Sequence, residues 1–279
     1  APGLSPVSST PPCAAVSSDF IGDTQAPAAV APPGGSPVRS MSAGAAVNWH
    51  TNLSLHLSRR HVRSGTKAKV LLLCAGPNER QLSLFNLLLK MGLGCENWDV
   101  ENGRGFDLTD DANWDPLLVR IQSREFSAVF ASPPRTTASR LRNKPGGPPP
   151  LRGLVGAARY GLRGLSVANS ELVRLHNLIL VRVAEVLSTI NAQGCPWIFE
   201  TPALKDGEVS VLRLDEFQRL LDTTGVEHNI GVQCSFGALY SKPTSRVSYA
   251  VELHDMPKEC THSKRTWLND RTGVAVSSR

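Results

Sequence analysis

The chain has 279 residues, a formal net charge of +6 and 41% hydrophobic residues. This length fits one large or two small domains, and the composition excludes a collagen, a coiled coil and a wholly disordered chain. No stretch approaches the roughly 20 uninterrupted apolar residues of a membrane span. The six cysteines are scattered and contain no CxxC pair, so we expect a protein of a reducing intracellular compartment, with no membrane partner and no structural zinc.

Composition divides the chain into three parts. Residues 1–66 are rich in Pro, Ala, Ser and Gly and lack apolar periodicity, which predicts a disordered tail. Residues 67–254 carry the patterns of a folded domain, and residues 255–279 are predicted to be a C-terminal tail. The candidate metal ligands near this end are His254, Cys260 and His262, and we expect them to bind no metal.

Strand-like and helix-like patterns alternate from Lys69 onward. The first run, KVLLLCAG, is typical of a buried parallel strand. It leads through a glycine turn into a helical pattern with Leu82, Phe85, Leu88 and Leu89 on one face and Gly92 at its end. Further strands are predicted at 97–101, 105–108, 127–131 and 196–200, and further helices at 113–123, 170–190 and 214–222.

This alternation predicts an α/β fold. Strands joined through helices form right-handed crossovers, and the resulting sheet is mostly parallel and covered on both faces, as in a doubly wound domain. Two late strand-like runs, 228–236 and 245–253, are joined by the short sequence GALYSKPT. They predict an antiparallel hairpin at one edge of the sheet.

Residues 133–165 form a Pro/Gly-rich stretch, here called the basic segment, that is too long for an ordinary connection. It contains no acidic residue, which predicts a flap that contacts phosphates. A solvated basic loop without a partner is the alternative. The cations of the basic segment are Arg135, Arg140, Arg142, Lys144, Arg152, Arg159 and Arg163.

Candidate functional residues follow the predicted strands, because ligands of doubly wound sheets bind outside the carboxyl ends of the strands. Gly76 after the first strand permits close backbone approach. Asp99 or Glu101 after the second is suited to accept hydrogen bonds from ribose hydroxyls, and Asp107 follows the third. Ser132, Pro133, Pro134 and Arg135 follow the fourth, where two prolines stiffen the turn. Glu200 ends the apolar fifth strand.

The order of these motifs resembles the S-adenosylmethionine-dependent DNA cytosine-5 methyltransferases, especially the divergent forms of eukaryotic mobile elements and phages. The resemblance covers roughly residues 68–253. The GPPPLR stretch at 147–152 is similar to a glycine-rich stretch of that group. A late QC-x-FGA...KPT pattern is matched by Gln233, Cys234, Phe236, Gly237, Ala238, Lys242, Pro243 and Thr244. The resemblance implies a Rossmann-like class I methyltransferase domain, S-adenosylmethionine as cofactor, DNA as partner and a nuclear location.

The resemblance also implies roles for single residues. Ala75 and Gly76 would hold the methionine part of the cofactor, Asp99 or Glu101 its ribose, and Asp107 would lie beside its adenine. Glu200 would contact the target base and stabilise the charge that develops during attack. The expected nucleic-acid contacts are Arg140, Arg142, Lys144, Arg152, Arg159 and Arg163.

The sequence departs from the family where the nucleophile is expected. In the family the double proline is followed by a cysteine that attacks C6 of an extruded cytosine, and here Pro134 is followed by Arg135. A guanidinium stays protonated and has no lone pair to offer. We therefore expect no covalent C5 methylation through this position. The alternative is a displaced nucleophile, for which the candidates are Cys74, Cys195 and Cys234.

Several functions remain open at this point. One is a methyltransferase that transfers directly to an exocyclic amino group through the Ser132-Pro133-Pro134 motif. Another is a catalytically dead nucleic-acid-binding module from a mobile-element polyprotein, and a third is an unrelated α/β protein with structural prolines. Only about 35 residues follow Thr244, so we expect sequence-specific recognition to be absent or supplied by another part of the product or by a partner.

Overall fold

The computed structural model describes residues 68–80, 83–203, 206–232, 243–251, 253, 267–268 and 275–276. For residues 140, 143, 267–268 and 275–276 it describes the backbone only. The predicted tail 1–66 and the 233–242 part of the late motif lie outside these ranges. So do Leu82, Cys234, His254, Cys260 and His262.

Six strands form one sheet in the order β2-β1-β3-β4-β6-β5. Strand β1 is parallel to β2 and β3, and β3 is parallel to β4. These inner strands are apolar on both faces, as parallel strands covered by helices must be. The strands are β1 (Lys69–Leu73), β2 (Gly94–Trp98), β3 (Ala128–Ala131), β4 (Trp197–Pro202), β5 (Val226–Val232) and β6 (Pro243–Tyr249).

The predicted antiparallel pair is present at one edge of the sheet. Strand β6 runs antiparallel to both β4 and β5, and β5 is the edge strand. The α/β fold class is therefore confirmed: the sheet is Rossmann-like, mostly parallel and closed at one edge by an antiparallel pair. Within the predicted C-terminal tail, β7 (Trp267–Leu268) and β8 (Ala275–Val276) form a second, two-stranded antiparallel sheet.

Helices cover both faces of the six-stranded sheet. Leu88 of α1 packs with Leu72 on one face, and Leu117, Val183 and Phe217 of α2, α3 and α4 pack on the other. Each fully buried side chain of this size contributes roughly 1.5–3 kcal/mol. None of the helices in the described ranges has the length and apolar character that a membrane crossing requires. The helices are α1 (Leu84–Lys90), α2 (Asp111–Gln122), α3 (Val167–Ala192) and α4 (Asp215–Leu221).

Side chains at the helix ends explain several of these boundaries. Ser83, Asp110 and Ser166 each accept a backbone hydrogen bond at the start of α1, α2 and α3, which satisfies a donor that has no partner inside the helix. Gly92 follows α1 with a φ of +76°. The predicted left-handed residue at the end of this helix is confirmed.

The predicted strand at 105–108 is wrong, and the strand predicted at 97–101 begins and ends three residues earlier, at Gly94–Trp98. Strand β2 ends at Trp98, and the following residues form two short 3₁₀ turns, Val100–Asn102 and Arg104–Phe106. The physical reason lies in Asp99, whose Oδ1 accepts a hydrogen bond from the backbone N–H of Glu101 at 2.9 Å. This contact closes a turn where the alternation of side chains alone suggests an extended chain.

The basic segment contains three 3₁₀ turns, Thr136–Ala138, Arg140–Asn143 and Gly156–Tyr160. Leu151 and Arg152 are buried within it. Its last turn is attached to the start of α4, because the hydroxyl of Tyr160 donates to Glu216 at 2.8 Å and accepts from the N–H of Asp215 at 3.0 Å.

Candidate functional site

A cavity of about 330 Å³ lies at the carboxyl ends of β1, β2 and β3. In the parallel register Leu73 pairs with Trp98 on one side and with Ala131 on the other. The residues that follow these strands therefore meet at one edge of the sheet. Five of the residues predicted to form the site line this cavity: Gly76, Asp99, Glu101, Asp107 and Pro134.

The conformation of the loop after β1 is set by its glycine and by the residue that follows β2. Gly76 has a φ of +81°, a conformation that L side chains adopt only with strain. Its N–H donates to Oδ2 of Asp99 at 2.8 Å. A Cβ at this position would meet only Nη1 of Arg80, at 3.9 Å, so conformation rather than space favours glycine here. Ala75 does not line the cavity and packs against the core cluster under α1.

Four asparagines that the sequence analysis did not identify fix the same loop. Nδ2 of the buried Asn97 donates to the carbonyl of Gly76 at 2.8 Å and to Oδ1 of Asn78 at 2.7 Å. Asn102 accepts from the N–H of Asn78 at 2.9 Å, and Asn86 donates to the carbonyl of Asn78 at 2.7 Å. No periodic signal marks these residues in the sequence, because they come from β2, a turn and α1.

The three carboxylates of the cavity differ in how many of their oxygens are already used. Both oxygens of Asp99 accept backbone hydrogen bonds, from Gly76 and Glu101. Oδ1 of Asp107 accepts from the N–H and the hydroxyl of Thr109, both at 2.8 Å. Among the described residues, nothing donates to Oδ2 of Asp107 or to the exposed carboxylate of Glu101. These oxygens are available to a ligand.

The loop that carries Asp107 is anchored from α3. Nη1 of the buried Arg182 donates to the carbonyl of Leu108 at 2.6 Å, and its Nη2 contacts Asp111 at the start of α2. The guanidinium also lies 5.1 Å from the centre of the Trp114 ring. These contacts fix the backbone directly after Asp107, so the carboxylate is positioned before any ligand arrives.

The apolar wall of the cavity was also missed by the sequence analysis. The rings of Trp98 and Phe106 meet edge to face, with centroids 5.7 Å apart, and Ile179 of α3 lines the cavity beside them. The alternation at 97–101 could have suggested Trp98 as an inward residue, but the 3₁₀ turn that brings Phe106 back has no such signal. Aromatic walls of this kind are typical of pockets that hold planar ligands.

Cys74 lies in the cavity but is unsuited to act as a nucleophile. Burial, together with the carboxylates of Asp99 and Asp107, raises the pKa of its thiol to about 12. The thiolate is the reactive form of cysteine, so Cys74 stays protonated at neutral pH. Cys195 precedes β4 and therefore lies at the opposite edge of the sheet.

The double-proline motif contributes to the cavity only in part. Ser132 and Pro134 line it, whereas Arg135 lines a separate small cavity together with Thr201 and Pro202. Ser132 is held at the sheet edge because its N–H donates to the carbonyl of Leu73 at 3.0 Å. The structure thus places Ser132 and Pro134 at the main cavity but Arg135 at a different one.

Glu200 lies on β4 and does not line the main cavity. It is paired across the antiparallel ladder with Arg246 of β6, and its Oε2 lies 3.4 Å from Nε of that arginine. Both side chains are largely buried, with 19% and 8% of their surfaces exposed. Burial lowers the pKa of Arg246, and the nearby carboxylate of Glu200 opposes this effect.

Three of the predicted phosphate-contacting cations, Arg142, Arg152 and Arg159, are used in contacts within the protein. Arg152 is buried and donates to the hydroxyl of Thr137 at 3.0 Å and to the carbonyl of Arg159 at 2.9 Å. Arg142 donates to the carbonyls of Thr136 and Pro149 at 2.8 and 2.9 Å.

Arg159 forms an ion pair with Asp215 at 2.7 Å. The side chains of Lys144 and Arg163, by contrast, are exposed and form no hydrogen bond or ion pair with a described residue. The side chain of Arg140 lies outside the described atoms.

A buried histidine belongs to the same hydrogen-bonded group. Nδ1 of His176 on α3 lies 3.1 Å from the hydroxyl of Thr137. Burial and the positive charges of Arg152 and Arg142 lower the pKa of His176 to about 4, so the ring is neutral at neutral pH. No group of three or more potential metal ligands occurs in the described part of the chain.

No protein-family model matches the sequence, and no curated protein matches it. Among solved structures, the chain is similar to the bifunctional kinase-methyltransferase WbdD, with 14% sequence identity and a TM-score of 0.35. The match covers 74% of this chain and 40% of that chain, so this chain spans less than half the length of that protein. A likeness at this level says nothing about what this chain binds.

Proposed function

We propose that the domain binds S-adenosylmethionine in the cavity at the carboxyl ends of β1, β2 and β3, and that it is a nucleic-acid methyltransferase-like domain without a thiolate nucleophile. The observation that carries this proposal is the convergence of the Gly76 loop with the carboxylates of Asp99, Glu101 and Asp107 in one cavity. Doubly wound sheets bind nucleotide ligands at this edge.

The residues present fit this cofactor. S-adenosylmethionine carries ribose hydroxyls, an adenine ring and two positive groups, and the cavity offers carboxylate oxygens, an aromatic wall and a volume of about 330 Å³. Ligand pockets usually span roughly 300–1,000 Å³. Glu101 is the proposed ribose acceptor, since its carboxylate has no described donor, and Asp107 is the proposed neighbour of the adenine. Asp99 would act by holding the Gly76 loop.

The described cysteines argue against covalent attack on a base. When bound, S-adenosylmethionine supplies an electrophilic methyl group, and C5 of cytosine accepts it only after a thiolate adds to C6. Arg135 occupies the expected cysteine position. The pKa of Cys74 is about 12, and burial raises the pKa of Cys95 to about 12 as well.

Direct transfer to an exocyclic amino group is the second candidate function. It needs no covalent intermediate, and the observation that favours it is that Ser132 and Pro134 line the same cavity as the carboxylates. A base amino group placed at this motif would then lie next to the methyl donor. Glu200, ion-paired with Arg246 at the neighbouring strand end, is the proposed contact to the base.

Nucleic acid is the proposed partner because the basic segment keeps cations whose side chains are not used in contacts within the described part of the protein. The side chains of Arg135, Lys144 and Arg163 form no hydrogen bond or ion pair with a described residue, whereas those of Arg142, Arg152 and Arg159 do. Cations that are not paired within the protein can neutralise phosphates of a bound strand. The proposed contact set is accordingly smaller than the sequence alone suggests.

Calorimetric titration with S-adenosylmethionine and S-adenosylhomocysteine tests the proposal. We expect binding by the wild-type protein and about tenfold weaker binding by Asp107→Asn, which corresponds to about 1.4 kcal/mol. The matched control is Asp115→Asn, an exposed carboxylate on α2 that should leave the affinity unchanged. Absence of both heat and thermal shift at millimolar ligand would contradict the proposal.

A further inference from the structure

Among the described residues that line the main cavity, Arg80 alone carries a positive charge. The other charged residues of the lining are the carboxylates of Asp99, Glu101 and Asp107. Arg80 is exposed and forms no ion pair with any residue that the structure describes. A guanidinium beside three carboxylates that pairs with none of them has its donors free for a ligand.

The backbone of Arg80 is fixed although its side chain is free. Its carbonyl accepts hydrogen bonds from the N–H of Ser83 at 2.8 Å and from Nδ2 of Asn86 at 2.9 Å. Nη1 of Arg80 lies 3.9 Å from the point where a Cβ on Gly76 would be. The guanidinium therefore lies beside the glycine turn, and both residues line the main cavity.

The chemistry of arginine indicates what it would bind there. A guanidinium presents planar paired donors that match a carboxylate, and in the methyl donor the only anionic group is the carboxylate of the amino-acid part. We propose that Arg80 binds this carboxylate and makes the cavity selective for ligands that retain the complete amino-acid part. This inference rests on the proposed function.

The direction of the expected preference distinguishes a specific contact of Arg80 with the carboxylate from general attraction by the acidic residues of the cavity. Removing the carboxylate from S-adenosylmethionine gives decarboxylated S-adenosylmethionine, which is more positive by one charge. The three carboxylates of the cavity favour the more positive ligand. Tighter binding of the complete cofactor would therefore oppose the field of the acidic residues and would require a specific partner for the carboxylate.

Calorimetry with this ligand pair tests the inference. We expect the wild-type protein to bind S-adenosylmethionine about tenfold more tightly than its decarboxylated form, as a charge-assisted paired hydrogen bond predicts. In Arg80→Gln this preference should disappear or reverse, mainly through weaker binding of the complete cofactor. The matched control is Arg104→Gln, which removes an exposed arginine outside the lining of the cavity and should keep the preference.

The outcomes distinguish the inference from the proposal beneath it. If the wild-type protein binds neither ligand, the proposed function fails and the role of Arg80 fails with it. If it binds both but shows no preference, or if Arg80→Gln keeps the wild-type preference, the role of Arg80 is overturned while the cofactor site stands. Thermal unfolding checks that Arg80→Gln folds; if it does not, a wild-type protein that binds both ligands equally still overturns the role of Arg80.

Discussion

The carboxylate of Asp99 accepts a hydrogen bond from the backbone N–H of Gly76 at 2.8 Å, so the residue after β2 shapes the loop after β1. The second oxygen of Asp99 closes the turn at Glu101 at 2.9 Å. One side chain thus orders both turns at the mouth of the cavity. The sequence suggests Asp99 as a ribose acceptor, but in the structure both of its carboxylate oxygens already accept backbone hydrogen bonds that order the two loops.

Replacing Asp99 by Ala should lower the free energy of unfolding by about 1–3 kcal/mol, because two backbone donors lose a charged acceptor. It should also weaken binding of S-adenosylmethionine, since the Gly76 loop is no longer held. Urea unfolding followed by circular dichroism measures the first effect, and calorimetry the second. Glu79→Ala is the control, because Glu79 is an exposed acid of the same loop with no described partner. Equal stabilities of the two variants would contradict the role of Asp99.

The sequence predicted the strands and helices best where burial alone determines them. Local apolar patterns correctly predict β1, β3 and α3, whose sequences contain KVLLL, AVFA and a long apolar helix face. The stretch from Asp99 to Asp107 was predicted mostly as strand but forms 3₁₀ turns. The side chain of Asp99 accepts a hydrogen bond from the backbone two residues later, and this turn competes with the strand that the alternation suggests. Asp107 still lies at the predicted edge of the sheet, because a strand at 105–108 and the observed 3₁₀ turn both bring it there.

The parts of the site that sequence could not predict depend on contacts between distant segments. The asparagine contacts around Gly76 involve Asn97, which is 21 residues away, and Arg182 reaches Leu108 across 74 residues. Charge patterning likewise counted Arg152 as a surface cation, whereas the fold buries it against Thr137. Composition gives the number of cations but does not show which of them form hydrogen bonds or ion pairs within the folded protein.

Wild-type protein should form no covalent complex with DNA that contains 5-fluorocytosine, which traps enzymes that add a thiolate to C6. The physical reason is that Arg135 has no nucleophilic lone pair and that the pKa of Cys74 is about 12. Denaturing gel electrophoresis of labelled DNA detects such a complex. A stable adduct with the wild-type protein would contradict the proposed absence of a nucleophile.

The variant Arg135→Cys distinguishes a cytosine-5 methyltransferase that has lost its nucleophile from an amino-methyltransferase and from a nucleic-acid-binding module. An adduct or labelled-methyl transfer by the variant alone would indicate a cytosine-5 methyltransferase that has lost its nucleophile. Transfer by the wild-type protein without an adduct would support direct methylation of an amino group. If neither protein transfers a methyl group but both bind DNA, the nucleic-acid-binding module is favoured.

Acid should destabilise the domain through Glu96 on β2. Burial alone would raise the pKa of Glu96, but hydrogen bonds from Arg120, Lys69 and Trp98 lower it to about 2. A carboxyl whose pKa is lower in the folded state stabilises the fold above its unfolded pKa, and this contribution is lost as the pH falls from about 4.5 to about 2. Urea unfolding at several pH values measures this dependence.

In Glu96→Gln the loss of stability over this pH range should be smaller than in the wild-type protein. At neutral pH the variant should be less stable by about 1 kcal/mol, because two partly exposed ion pairs are removed. The control is Glu171→Gln, which removes an exposed carboxylate paired with Arg174 on α3. Identical acid profiles for wild type and Glu96→Gln would show that Glu96 does not carry the effect.

The cations of the basic segment should separate into two groups when DNA binding is measured against salt. Lys144→Gln and Arg163→Gln should each reduce the slope of log K against log salt by about one, because each exposed side chain is proposed to neutralise one phosphate. Arg152→Gln should leave the slope unchanged and lower the free energy of unfolding by about 2 kcal/mol, since it removes buried hydrogen bonds to Thr137 and Arg159.

Fluorescence anisotropy with a labelled oligonucleotide provides the slopes, and Lys90→Gln, an exposed cation on α1, is the control outside the basic segment. A slope that falls equally for Lys90 and Lys144 would mean that net charge, not the basic segment, binds the strand. A reduced slope for a folded Arg152→Gln protein would mean that this side chain leaves its buried position when DNA binds. The slope of log K against log salt reports the ions displaced when DNA binds, whereas the free energy of unfolding reports lost internal contacts. Together the two measurements show whether each cation contacts DNA or stabilises the folded protein.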